Sequence, residues 1–196
     1  MIQQFVQFLK GQNYIIGIDE VGRGPLAGPV VVAGVKINAK FRKVFKNIKD
    51  SKKLSARQRE KWFLKITKHS DIEWAAASIS PRIIDRVNIA KASNLGAGRV
   101  YKKLAGGVKV PAVLDGSLYL SPKIPYQTII KGDEKVPIIA AASIIAKVTR
   151  DRMMSCLHKK YPQYRFDIHK GYGTKLHKNL LKKFGRSEVH RESFKI

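Results

Sequence analysis

Two short apolar runs rich in β-branched residues, Tyr14 to Asp19 (YIIGID) and Pro29 to Lys36 (PVVVAGVK), constrain the fold of this chain more than any other feature. Each is too short for a helix of ordinary length and reads as a buried strand. Between them lies Val21 to Gly28 (VGRGPLAG), with three glycines and a proline, a turn-rich loop. Further along, Ser55 and Gln58 have the spacing of a capping box and open a helix to about His69, with Trp62, Phe63 and Ile66 inward. Ile72, Trp74 and Ala76 alternate as a third strand. Ser80-Pro81 starts a helix reaching about Ala105, ended by Gly106-Gly107. Pro111 to Leu114 and Tyr126 to Ile130 are two more short strands, Pro137 opens an Ala/Ile-rich helix to about Tyr161, and Thr174 and Gly185 bracket a basic helix. The expected fold class is α/β: a mixed central sheet of about five strands flanked by helices, with a C-terminal helical extension.

At 196 residues the expectation is one compact domain, 1–196, with a basic helical C-terminal segment at about 162–196. Lysine and arginine number 39 against 14 acids, a formal charge of +25, with a basic stretch at Lys40 to Lys53. Polyanions are the partners that suit such a chain, and duplex nucleic acid carries one charge per roughly 1.7 Å of axis. The single cysteine, Cys156, excludes an internal disulfide and a Cys-based zinc site. The N-terminus lacks a signal-peptide core, and no run approaches the ~18 apolar residues of a membrane span. A soluble cytoplasmic protein with no membrane partner is expected.

In so basic a chain the acids are the informative residues. Asp19 and Glu20 end the first strand, Asp115 directly follows PAVL, and Asp133 follows YQTII after two residues. Strand C-termini are where α/β sheets commonly hold their sites. Asp19 and Glu20 share a site only if the strand breaks there, because adjacent strand residues face opposite sides. A lone strand-end aspartate is more often a cap, turn or ion-pair residue. Four at parallel positions favour a shared cation, and an all-oxygen set suits Mg²⁺ or Mn²⁺. The five histidines form no i, i+4 pair, which argues against a histidine metal site.

GIDEVGRGPLAGPVVVAGV (Gly17 to Val35), DSKKLS (Asp50 to Ser55), LDGS (Leu114 to Ser117), KGDEKVPIIAAASIIAKVTRD (Lys131 to Asp151) and HKGYGTKLH (His169 to His177) resemble, in order, ribonuclease HII, the type 2 ribonuclease H family. The resemblance implies a ribonuclease H-like fold. It also implies endonucleolytic cleavage of RNA in RNA–DNA hybrids and at ribonucleotides embedded in duplex DNA, leaving a 3′-hydroxyl and a 5′-phosphate, with Mg²⁺ or Mn²⁺ held by Asp19, Glu20, Asp115 and Asp133. By the same resemblance, Gly22, Arg23 and Gly24 contact the ribonucleotide 2′-hydroxyl, and Tyr172 packs on the following deoxyribose. Lys52, Lys53 and Asn88 are further substrate-binding candidates. Ser143, Lys147 and Arg150 fall at i, i+4 and i+7, one polar stripe that reads equally as a solvated face or a phosphate track. A monomer is expected, and a replication-clamp partner is left open. The alternatives are a non-catalytic basic nucleic-acid binder and the sister type ribonuclease HIII, which usually carries an extra N-terminal domain and lacks the loop arginine.

Overall fold

The computed structural model describes residues 11–38, 40, 44–48 and 51–195. Asp50, parts of the basic stretch Lys40 to Lys53 and the N-terminal residues 1–10 therefore lie outside the described residues. Five strands form one sheet: β1 (Tyr14–Val21), β2 (Val30–Asn38), β3 (Ile72–Ile79), β4 (Ala112–Asp115) and β5 (Tyr126–Ile129). Their spatial order is β3-β2-β1-β4-β5. β1, β2 and β3 pair antiparallel, whereas β4 joins β1 and β5 joins β4 in parallel. The expected mixed five-strand sheet is therefore present.

The helices are α1 (Ala56–Thr67), α2 (Pro81–Val87), α3 (Ile89–Ala105), α4 (Gly132–Lys135), α5 (Pro137–Lys160), α6 (Phe166–His169) and α7 (Lys175–Phe184). The Ser55/Gln58 capping box opens α1 as expected. The long helix expected from Ser80 to Ala105 is instead two helices that meet at Asn88, which has φ 70°. Asparagine tolerates that left-handed φ, and its side chain accepts a hydrogen bond from Lys91 N, so it caps α3 rather than continuing α2. α4 is also absent from the sequence reading and places Asp133 on a helical turn rather than at a strand end.

One sheet face packs against α5 and α1 through Val31, Val35, Ile37, Phe63, Ile66 and the Ala/Ile run of α5. The other packs against α3 through Ile16, Ile18, Val32, Val100 and Leu104. Burying each such aliphatic side chain stabilises by about 1.5–3 kcal/mol before entropy is counted. Gly17 lets α5 lie directly on β1, since a Cβ there would sit 2.7 Å from the Ile138 carbonyl carbon and oxygen. That close approach brings the first half of α5 beside the C-terminal end of β1. A separate cluster of Leu26, Ala27, Met154, Tyr164, Phe166 and Leu181 fastens the C-terminal elements to the β1–β2 loop. Among the described residues, no helix is long and apolar enough to cross a membrane.

Candidate active site

β1 does not break at its acids, contrary to the condition expected for a shared site; the two carboxylates lie close enough at the strand's end for the Glu20 charge to raise Asp19 all the same. Glu20 and Val21 remain paired with Val32 and Val31, so Asp19 and Glu20 alternate across the sheet. Asp19 is buried on the α5 side, where the Ser143 hydroxyl stabilises its charged form, and Oδ1 also accepts from Glu20 N at 2.7 Å. Glu20 turns toward the loop, and Arg23 Nη1 lies 3.3 Å from its Oε1.

Parallel pairing supplies the third acid. Ile18 pairs with Leu114, which sets Asp115 beside Asp19 at the end of the neighbouring strand. Asp115 Oδ1 accepts from Gly132 N at 2.6 Å and from Asp133 N at 3.4 Å, tying β4 to the turn that carries the fourth acid. Asp133 is buried, with Lys52 Nζ 3.0 Å from its Oδ2, and Lys53 makes a looser pair with Glu134 at 3.4 Å. The structure thus gathers Asp19, Glu20, Asp115, Asp133, Arg23, Lys52 and Ser143 from five chain segments.

The acids repel one another. Burial, then the charges of Glu20 and Asp115, hold the Asp19 carboxyl well above the usual carboxylate range. Burial also raises Glu20, opposed by Arg23, and Asp115 is raised by burial and by Asp133. Glu20 Oε2 is buried without a hydrogen-bond partner. Crowded hard oxygen donors with one orphaned carboxylate oxygen fit a divalent cation, which would offset their repulsion. In the arrangement described, no three His, Cys, Asp or Glu side chains among the described residues close on one point as a ready ligand set, and the Lys52 ammonium lies against Asp133.

The remaining expected residues divide. Gly22 has φ 95°, and a Cβ there would lie 2.2 Å from Arg150 Nε, so only glycine fits. Gly24 is exposed with open space around it. Arg23 also donates to Ser117 Oγ. Tyr172 is partly exposed, with the Arg150 guanidinium 5.7 Å from its ring centre. Asn88 is exposed at the α2–α3 junction, its side-chain oxygen engaged in the cap. The expected polar stripe is not a surface stripe. Ser143 is buried and shares a 2.8 Å hydrogen bond with Ser51. Lys147 pairs with Asp151 at 2.8 Å. Arg150 is fully buried and donates to the carbonyls of Pro29, Lys170 and Ala27, so it supports the fold and is not a surface phosphate contact. Helical periodicity alone did not show that the first half of α5, from Ile138 to Ala146, is buried all round.

Sequence reasoning missed three polar contributors. Ser51 and Ser117 lie inside segments already singled out, DSKKLS and LDGS, and a hydroxyl near acids was the available signal. Arg191 had none: it is a tail arginine among many cations, yet it is fully buried beneath the glycine loop.

Comparison with known proteins agrees with this fold. The family described as Ribonuclease HII matches residues 16–196. A ribonuclease HII of Chloroherpeton thalassium is 45% identical over 194 residues, covering 96% of this chain and 93% of that protein. The enzyme of the same name from Caldicellulosiruptor bescii is 43% identical over 187 residues, covering 94% and 88%. Among solved structures, a chain from the PCNA:RNase HII complex of Archaeoglobus fulgidus superimposes with a TM-score of 0.77 at 27% identity, covering 93% of this chain and 95% of that one. A Bst-RNase HIII solved in complex with Mn²⁺ has a TM-score of 0.75 at 19% identity, covering 95% and 69%, and shares the fold. With homology across nearly its whole length, the chain belongs to the ribonuclease HII family and is a ribonuclease H endonuclease.

Proposed function

We propose that this protein cleaves the RNA strand of RNA–DNA hybrids and the 5′ side of single ribonucleotides embedded in duplex DNA, leaving a 3′-hydroxyl and a 5′-phosphate, in the service of ribonucleotide removal. The observation that carries the reading is the set of four acids, Asp19, Glu20, Asp115 and Asp133, drawn to one end of the sheet in a chain of formal charge +25. Such a surface attracts the duplex as a whole, and the acidic centre marks where the chemistry takes place. Asp19, Glu20, Asp115 and Asp133 would hold Mg²⁺ or Mn²⁺. Ions held there would supply activation of a water and neutralisation of charge at the departing 3′-oxygen.

The chain's own residues position the substrate. Arg23 stands between Glu20 and Ser117 and orients the loop arm next to the acids. Ser143 steadies Asp19 in its charged form, and Ser51 in turn holds Ser143. The loop amides of Arg23 and Gly24 address the 2′-hydroxyl, the group that separates RNA from DNA at a site. The exposed ring of Tyr172 offers an apolar face to the next sugar.

The test is cleavage of a duplex with one embedded ribonucleotide in Mg²⁺ and in Mn²⁺, with Asp115→Asn beside the wild type. Asp115→Asn is expected to lose at least about 10²–10³-fold in rate while duplex affinity changes little. Retained cleavage would remove Asp115 from the site. No cleavage by the wild type with either ion would refute the proposal.

A further inference from the structure

The loop that joins β1 to β2 is held from beneath by two arginines distant in sequence. Arg150 takes the carbonyls of Ala27 and Pro29. Arg191, fully buried, donates Nη2 to Gly22 O at 2.6 Å, Nη1 to Arg23 O at 2.8 Å and Nε to Gly28 O at 3.0 Å. Its own backbone N–H donates to Leu26 O at 2.8 Å, and Gly28 N returns a 2.8 Å bond to Val189 O. One guanidinium therefore sets the orientation of three peptide planes in the loop.

That orientation has a consequence for the opposite side of the loop. In a planar trans peptide the C=O and the following N–H point in opposite directions. Drawing the Gly22 and Arg23 carbonyls inward turns the N–H groups of Arg23 and Gly24 outward. Neither amide has an acceptor among the described residues. We infer that Arg191 is a positioning residue for ribonucleotide recognition, aiming the Arg23 and Gly24 amides at the substrate; this rests on the role proposed above for that loop.

Two further features support it. Arg150 and Arg191 lie close enough to repel, and neither guanidinium forms a direct ion pair among the described residues. Buried cations are costly unless every donor is matched, so this pairing makes sense where fixed carbonyl geometry is required. The tail that carries Arg191 is clamped from outside: Asp85 accepts from Glu192 N and Ser193 N, each at 3.0 Å, and from Ser193 Oγ at 2.6 Å. Arg186 caps the carbonyls of Arg191, Glu192 and Phe194.

Arg191→Lys in the full-length protein is the decisive variant, because lysine keeps the charge and loses the planar fork. Folding is followed by thermal unfolding, affinity is measured for an all-DNA duplex and for the same duplex with one ribonucleotide, and cleavage by kcat and KM. The expected result is a loss of at least about tenfold in kcat/KM on the ribonucleotide duplex, with the binding preference collapsing toward one and all-DNA affinity nearly unchanged. Asp85→Ala, which loosens the tail without touching the loop, should lower the same preference by a smaller factor, and it decides the matter if Arg191→Lys does not fold. A folded Arg191→Lys with wild-type preference, an equal loss on both duplexes, or an unchanged preference in Asp85→Ala where that variant must decide would each overturn the inference. A wild type that binds both duplexes equally would instead overturn the loop's role itself, and the inference with it.

Discussion

Acid should loosen the floor beneath Tyr172, because three neutral imidazoles are locked there. His177 and His190 are buried, and His169 stacks on His177 with ring centres 4.2 Å apart. His177 Nδ1 donates to Tyr172 O at 3.0 Å, and His190 Nδ1 accepts from Ser187 N at 2.9 Å. The remaining proton, on His190 Nε2, then points to His177 Nε2 at 3.1 Å, an assignment forced by the partners. A second proton on His177 would face the His190 N–H, and one on His190 Nδ1 would face the Ser187 N–H, with only the Ser187 hydroxyl, 2.9 Å away, able to turn and accept it. Burial, and then the neighbouring histidine, accordingly push both down to about 4. An unfolded histidine titrates near 6.5, so from pH 7 to pH 5 the unfolded chain takes up protons that the native rings refuse. Stability is therefore fully present above about pH 6.5 and falls as the pH drops. Linkage gives a loss of about 2 kcal/mol per histidine by pH 5, or about 4 kcal/mol for the pair. Asp19, Glu20 and Asp115, whose carboxyls are raised, act in the opposite sense, so the assay compares proteins rather than slopes alone. Urea unfolding at pH 7 and pH 5 of the wild type and of His190→Gln should show the variant losing about 2 kcal/mol less between the two. An identical pH dependence in both would refute the neutral-cluster reasoning.

Two other outcomes are expected. Asp19→Asn should stabilise the metal-free protein by roughly 1 kcal/mol, because it removes a buried charge next to Glu20 and Asp115. Since the folded carboxyl is raised, that advantage should grow from pH 5 to pH 8, and thermal unfolding showing no gain at pH 8 would count against the crowding of charge. Tyr172→Ala should reduce kcat/KM for a single-ribonucleotide duplex by about tenfold, and less for a long hybrid, as the loss of one stacked aromatic face would do. An equal loss on both substrates would argue against a role at the RNA-to-DNA junction.

Much of this was legible in the sequence because it is local. The strands declare themselves by β-branched runs, α1 by its capping box, and the four acids by contrast with a basic chain. The break at Asn88 was also written locally, since an asparagine before Ile89 is a good cap, but the start at Ser80-Pro81 and the stop at Gly106-Gly107 were joined across it. What periodicity does not contain is how many neighbours a helix has. Arg150 reads as a surface cation on α5 and lies enclosed, because the β1–β2 loop and the turn at Lys170 close over it with the carbonyls of Ala27, Pro29 and Lys170.

The sequence by itself determined the class of sheet and pointed to a polyanionic partner and to four acids, each carried by residue type and short spacing. Only the tertiary structure decided how those acids meet. β1 never breaks, so the meeting of Asp19 with Asp115 depends on parallel pairing across almost a hundred residues. The form of the glycine loop was decided in the same way, by Arg191 hydrogen-bonding 168 and 169 residues back along the chain to Arg23 and Gly22. Local sequence encodes the backbone's preferences, but a carbonyl's direction is set by the donor that happens to face it once the chain has closed on itself.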